Sequence, residues 1–256
     1  MNRKALAGTL EELSAYLRYQ KILGVESLAL SRAGLEALEN LDRLPRRNPG
    51  PASTPGSAER SPAPESPSDL EELARRAGEC ARCGLSRSRN QVVFGEGAAQ
   101  AALMFIGEGP GRDEDLSGRP FVGRAGQLLT RIIKAMGFER DRIYITNVVK
   151  CRPPNNRDPK PEESAACRDW LDRQLALIKP EVIVALGRVA AHNLLGTEEP
   201  ISRLRGRFHD LNGIPVMPTF HPSYLLRQSD PRGPRKMVWE DMKNVLKRMG
   251  REAPRP

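Results

Sequence analysis

The sequence predicts an α/β fold: three layers, with a central four-stranded parallel sheet flanked by helices. Two observations predict it. Four short apolar runs, at 102–107, 143–149, 182–187 and 214–220, have strand length and are rich in Ile, Val and Leu. Helical patterns at 124–136, 161–178 and 188–195 fall between them, and another at 235–249 follows the last. Alternation of this kind argues for parallel strands covered by helices on both faces. Asn212-Gly213 is a tight-turn pair, so a short hairpin is expected before the last strand.

The helix over 124–136 places Leu128, Leu129, Ile132, Ile133 and Met136 on one face. Around this domain, expected over 69–250, the organisation changes. Residues 1–44 read as a helical accessory segment, with Leu10, Leu13 and Leu17 on one face and a break at Gly24. Residues 45–68 are rich in Pro, Ser, Gly and charge, too polar to bury apolar surface, and read as a disordered linker. Residues 251–256 are a tail. The N-terminal helices are candidates for a protein partner.

The chain has 256 residues, with 41 Lys+Arg against 32 Asp+Glu and a net charge of +9. That balance favours a polyanionic partner, nucleic acid first. No apolar run reaches the length of a membrane span. The N-terminal MNRKALAGTLEELSAYL has acidic residues where a secretory signal needs an apolar core. A cytoplasmic protein, nucleoid-associated in a prokaryote, is expected, with reduced thiols and no membrane partner.

The stretch GEGPGRDEDLSGRPFVGRAG, 107–126, follows the first strand. Strand, glycine turn and helix usually cradle a phosphate. This loop carries Glu108, Asp113, Glu114 and Asp115, which repel one. In an open parallel sheet, ligands sit beyond the carboxyl ends of the strands. The acidic loop, Asn147 and His221 of FHPSYLLR all fall at that edge and are candidates for one crevice.

Four cysteines are present. Cys80 and Cys83 form Cys-x-x-Cys; Cys151 and Cys167 complete a four-thiolate set with none left over. Such ligands suit zinc or an iron–sulfur cluster, and spacing alone does not decide between them.

The segments GEGPGRDEDLSGRPFVGRAGQLL, ITNVVKCRPPNNR, VIVALG and FHPSYLL, with these cysteines, resemble the family 4, iron–sulfur uracil-DNA glycosylases over roughly 78–248. The resemblance implies excision of uracil from single- or double-stranded DNA, initiating base excision repair, by a monomer. It implies a 4Fe-4S cluster on Cys80, Cys83, Cys151 and Cys167. It also implies roles: Glu108 and the Gly109 backbone at water and base, Phe121 stacking on the flipped ring, Asn147 reading the base edge, and His221 donating toward O2. Glu114 is implied near C5, where it would exclude thymine, and Asn156 is a further pocket candidate. In the classical relatives an aspartate activates water at the position that Gly109 fills here, which leaves Glu108 as the candidate.

Such chemistry makes sense of an acidic loop. As the glycosidic bond breaks, the sugar becomes cationic and the base anionic, so a carboxylate favours the first and a donor the second. For the DNA backbone, the candidates are the arginines at 203–207, which would share one face of a strand, and the basic stretch 227–236. Leu225 or Leu226 is a candidate wedge in the base stack. Two other readings are a related glycosylase that becomes covalently trapped on uracil-DNA and a non-catalytic iron–sulfur DNA-binding module. The first carries a His in a basic insert that is missing here; intact Glu108, Asn147 and His221 argue against the second.

Overall fold

The computed structural model describes residues 67–252. The helical segment expected over 1–44 lies outside the described residues, as does the linker except for its last two positions. Those two open helix α1 (Pro67–Gly78). Among the described residues no helix is long and apolar enough to cross a membrane.

Strand β2 (Leu103–Gly107) lies between β3 (Tyr144–Asn147) and β4 (Val182–Leu186), and β6 (Ile214–Thr219) extends the sheet beyond β4. All four run parallel, as expected. The sheet has six strands, however. Two short antiparallel edges, β1 (Glu96–Gly97) on β3 and β5 (His209–Leu211) on β6, complete it. The β5–β6 turn is the Asn212-Gly213 pair, with φ of 52° and 88°, the left-handed pair that a two-residue hairpin turn requires. β1 was not legible, because two residues carry no periodicity.

β2 shows how the strands divide the core. Leu103 and Phe105 point into one layer, with Leu128, Leu129 and Ile133 of α3 (Arg124–Ala135) and Val238, Met242 and Val245 of α8 (Arg232–Arg248). Met104 and Ile106 point into the other. There they meet Trp170, Leu171 and Ile178 of α4 (Pro161–Ile178) and Ala190, Ala191 and Leu194 of α5 (Arg188–Leu195). Period-two alternation on a strand with both faces covered produces two cores. Each large side chain buried there contributes roughly 1.5–3 kcal/mol.

The helix ends follow local chemistry. Pro161 opens α4, whose Glu163 carboxylate accepts the Lys160 N–H at 2.8 Å. Gly196 ends α5 in the left-handed conformation, φ 61°. The helix expected at 235 starts one turn earlier, at Arg232. Short helices α2 (Arg112–Ser117), α6 (Ile201–Leu204) and α7 (Pro222–Arg227) complete the domain. The arginines at 203–207 thus lie on α6 and the turn after it, not on a strand.

Arg205 does not face solvent as a phosphate contact would. Its guanidinium grips Asp241, with Nη2 to Oδ1 at 2.6 Å and Nε to Oδ2 at 3.1 Å, and Thr219 Oγ1 donates to Oδ2 at 2.6 Å. Asp241 is fully buried. Asp241 therefore ties α8 to the end of β6, and Arg205 anchors the turn after α6 to it. Leu225 is also buried in the core, which excludes it as a wedge; Leu226 is half-buried.

Candidate active site

The carboxyl ends of β2, β3, β4 and β6 open into one cavity of about 860 Å³. Glu108, Gly109, Glu114, Phe121, Asn147, Asn156 and His221 all line it. The wall also carries Asp158, Arg188, Ser223 and Arg227, which the sequence reading did not single out for the pocket.

The acidic loop resolves into different tasks. Asp115 is buried and accepts from Asn90, at 2.9 Å from the backbone N–H and 2.6 Å from the side-chain amide. Glu114 lines the cavity, but its carboxylate gathers backbone N–H groups: Gly111 at 3.1 Å, Val122 and Gly123 at 2.9 Å each. It folds the loop on itself. Asp113 is exposed and lies outside the lining. Glu108 is left facing the cavity. Burial pushes its carboxyl up to about 7, helped by the Asp158 charge and opposed by Arg188 and Arg227.

Gly107 and Gly109 explain the close approach. A Cβ on Gly107 would overlap both the Asn147 amide oxygen and the Phe121 ring, so β2 ends where those two groups converge. A Cβ on Gly109 would lie 2.7 Å from Val149 Cγ2. Any side chain there would have to displace the Val149 methyl.

Asn147 is 1 % exposed, and its Oδ1 is the one buried side-chain oxygen or nitrogen without a hydrogen-bond partner among the described residues. Leaving a buried acceptor unpaired costs about 1–3 kcal/mol. An orphan of this kind on a cavity wall points to a donor supplied by a ligand.

His221 precedes α7 and caps it. Its Nδ1 accepts the Ser223 N–H at 3.1 Å and lies 2.7 Å from Ser223 Oγ. Burial, and then the Arg227 charge, push the imidazole down to about 4. The ring is neutral at neutral pH, and with Nδ1 accepting, the proton sits on Nε2. A neutral ring with a free N–H is a donor for a developing oxyanion. The Phe121 ring lies 5.7 Å from it, centroid to centroid, at 36°. Gly187, with φ of 88°, lets β4 approach the histidine: a Cβ there would stand 2.9 Å from that of His221.

Asn156 sits at the exposed rim, and its amide oxygen accepts from Arg152 Nε at 2.8 Å. Asp158 is exposed and paired with Arg188 across the cavity mouth.

The four cysteines line a separate small hollow with Arg89, Lys150 and Trp170. No disulfide joins any of them. Three N–H groups point at their sulfurs, each at 3.3 Å: Arg89 Nη1 to Cys151, Trp170 Nε1 to Cys80 and the Lys150 backbone to Cys167. Among the described residues no group of His, Cys, Asp or Glu closes round one point as a single ion requires. N–H donors around thiolate sulfurs are what a bound metal centre would use, whichever metal it holds. Lys150 Nζ is buried behind the same wall and donates to Thr146 Oγ1 and the Asn147 carbonyl at 2.7 Å each, and to Gln174 Oε1 at 2.5 Å. Three acceptors match the three N–H bonds of an ammonium, although burial pushes its pKa down to about 7.

The model of the uracil DNA glycosylase superfamily matches residues 94–243. The type-4 uracil-DNA glycosylase of Thermotoga maritima is 48 % identical over 186 residues, covering 71 % of this chain and 96 % of that protein. The chain belongs to the type-4 uracil-DNA glycosylases. That of Archaeoglobus fulgidus is 42 % identical over 193 residues, covering 72 % and 96 %. A type-5 uracil-DNA glycosylase of Pyrobaculum aerophilum is more distant, 30 % identical over 175 residues, covering 61 % and 74 %. The superfamily match spans every residue of the cavity lining and begins after the Cys80–Cys83 pair.

Around the cavity and the cysteine hollow, sequence reasoning did not single out Ser223, Lys150 or the Asp158–Arg188 pair. Ser223 was within reach of it, since a residue two positions after a helix-capping histidine is placed to set its tautomer. The others depend on contacts between segments far apart in the chain.

Proposed function

We infer that this chain hydrolyses the N-glycosidic bond of a deoxyuridine flipped out of DNA, releasing free uracil as the first step of base excision repair. The observation that carries the reading is the unpartnered, buried Oδ1 of Asn147 on the cavity wall. Uracil offers N3–H to that oxygen and O4 to the amide N–H₂, so one side chain satisfies both.

The remaining roles follow from placement. Phe121 stacks on the flipped ring. As the C1′–N1 bond breaks, its electron pair stays with the base, and the Nε2–H of His221 stabilises the charge spreading to O2. Glu108, ionised, favours the cationic sugar and orients the water that adds to C1′. The water's proton leaves to solvent and the uracil anion is protonated on release. Glu114 holds the loop and, through it, bounds the C5 side of the pocket; Asn156 closes its rim. Exposed Arg235 and Lys236 meet phosphates. Residues 1–44 serve as an accessory segment, joined through a linker to the catalytic domain that opens with α1 at Pro67.

Cys80, Cys83, Cys151 and Cys167 hold a 4Fe-4S cluster, supported by an all-thiolate set with N–H donors on its sulfurs. Those four residues would hold the group and, with it bound, join the 151–160 loop and α4 to the segment that carries Cys80 and Cys83. Protein prepared anaerobically should be brown, with iron and sulfide near four per chain, and stoichiometric zinc without visible absorbance would contradict the assignment.

The experiment is base release from a uracil-containing oligonucleotide, with a hypoxanthine oligonucleotide alongside. Free uracil supports hydrolysis. A covalent protein–DNA adduct points to the trapped type of glycosylase, and binding without either to a non-catalytic module.

A further inference from the structure

Phe121 holds a backbone conformation that a bulky side chain rarely adopts, φ 51°. It lies between α2 and α3, where neither helix imposes that angle, so something else must. The contacts around it identify what.

Arg140 lies in a short 3₁₀ turn ahead of β3, with its side chain largely buried. Its Nη1 donates to the Phe121 carbonyl at 3.2 Å and to Thr130 Oγ1 at 3.0 Å; its Nη2 donates to the Pro120 carbonyl at 2.8 Å. The Glu96 carboxylate of β1 takes Arg140 Nε at 3.0 Å, with Nη2 on the same oxygen, and takes Arg119 Nε at 2.8 Å on the other. One acid thus grips arginines on both sides of the turn, and one arginine grips two consecutive carbonyls in it. From below, Gly126 leaves the room: a Cβ there would overlap the Phe121 carbonyl group. On the far side the Phe121 ring meets Gly107 and faces His221.

We propose that Arg140 is a positioning residue for base excision: with Glu96 it locks Phe121 in its left-handed conformation, so that the ring stands as a fixed platform for the flipped base. The proposal rests on Phe121 being the stacking residue. Two chemical facts favour positioning over plain stabilisation. An arginine that served only Glu96 would need one point charge, whereas this one spends three N–H bonds on Thr130 and the two carbonyls that set the platform. And the backbone so held is the strained one, at φ 51°. A guanidinium reaches all these acceptors with its planar fork; a lysine ammonium keeps the charge but cannot.

The test is a double-mutant cycle on the full chain. Single-turnover rates on a uracil oligonucleotide are measured for wild type, Arg140→Lys, Phe121→Leu and the double variant, with thermal midpoints for each. Arg140→Lys should slow excision by roughly 10–100-fold, the scale of an ångström-level misplacement. In the Phe121→Leu background the same change should cost under about 3-fold, while the drop in midpoint is the same in both backgrounds. A rate loss that persists in full without the phenylalanine, or no loss at all, overturns the proposal. A wild-type rate in Phe121→Leu overturns instead the stacking role. If Arg140→Lys does not fold, Glu96→Gln loosens the same network from its other end, and its cycle with Phe121→Leu decides by the same criterion.

Discussion

The Nδ1 atom of His221 accepts the backbone N–H of Ser223 at 3.1 Å, which leaves the ring's proton on Nε2. A capping contact of α7 thereby sets the tautomer of a histidine on the cavity wall, the one proposed to donate to the leaving base. Because burial holds the imidazole at about 4, the donor is in place across the neutral range.

His221→Ala should therefore cut the single-turnover rate by roughly 100-fold or more, with DNA affinity little changed. Equal losses in both would recast it as a binding residue. The rate should show no step near pH 6.5 assignable to this ring. Its stability effect has the opposite sign to that of a paired histidine. The unfolded ring binds a proton below about 6.5 and the folded ring only below about 4, so this residue costs stability as pH falls through that window.

Glu108 makes the pH prediction for the rate. Its carboxyl, raised to about 7, must ionise to serve a cationic sugar. At limiting enzyme the rate should rise with pH up to about 7 and then level. Asp158→Asn removes the like charge and frees Arg188, both of which favour the carboxylate, so the limb should move to lower pH. A limb that stays put in Asp158→Asn and persists in Glu108→Gln belongs to another group. In stability the sign is reversed. The folded carboxyl holds its proton up to about 7 and the unfolded one only to about 4.5, so stability falls as pH rises through that range.

Two arginines from neighbouring basic stretches should part company. Arg205→Ala leaves Asp241 buried without its counter-charge, with only the Thr219 hydrogen bond, so it should lower stability by about 3 kcal/mol, read from denaturant unfolding, with the salt dependence of DNA binding unchanged. Arg235 is exposed on α8. Arg235→Ala should leave stability alone and flatten the slope of log affinity against log salt by about one unit. An unchanged slope would place the phosphates elsewhere.

The central sheet was legible because Met104, Ile106, Ile183 and Val184 form apolar runs that only a doubly covered strand explains. The hairpin was legible from Asn212-Gly213. What could not be read was contact between distant segments. The Arg203–Arg205–Arg207 spacing suggested a strand face, but the buried carboxylate that claims Arg205 lies 36 residues away. In the site, placement at that edge of the sheet nominated His221, whereas Glu108 and Asn147 took their roles from the family resemblance, because residue type alone suits a loop carboxylate or a strand-end cap equally well. Nor did residue type separate the loop's four carboxylates. Their tasks depend on which N–H groups are within reach: Asn90 for Asp115, the 122–123 backbone for Glu114. The strain at Phe121 was likewise invisible, because φ is set by Arg140 and Glu96 and not by the local sequence.

At the centre of the proposed site, the lone acceptor of Asn147 reads uracil. The most direct measurement is the ratio of single-turnover rates on matched uracil and cytosine oligonucleotides, for wild type, Asn147→Ala and Asn147→Asp. Cytosine presents an acceptor at N3 and an amine at C4, so the wild-type amide faces like with like, a mismatch that can reach roughly 10,000-fold in discrimination. Asn147→Ala should lose most of the uracil rate and most of that ratio. Asn147→Asp, able when protonated to donate to N3 while accepting from the amine, should lose most uracil excision and gain slow cytosine excision, more clearly at lower pH. If Asn147→Ala keeps the wild-type preference for uracil, Asn147 is not the reader, and the account of this site is wrong.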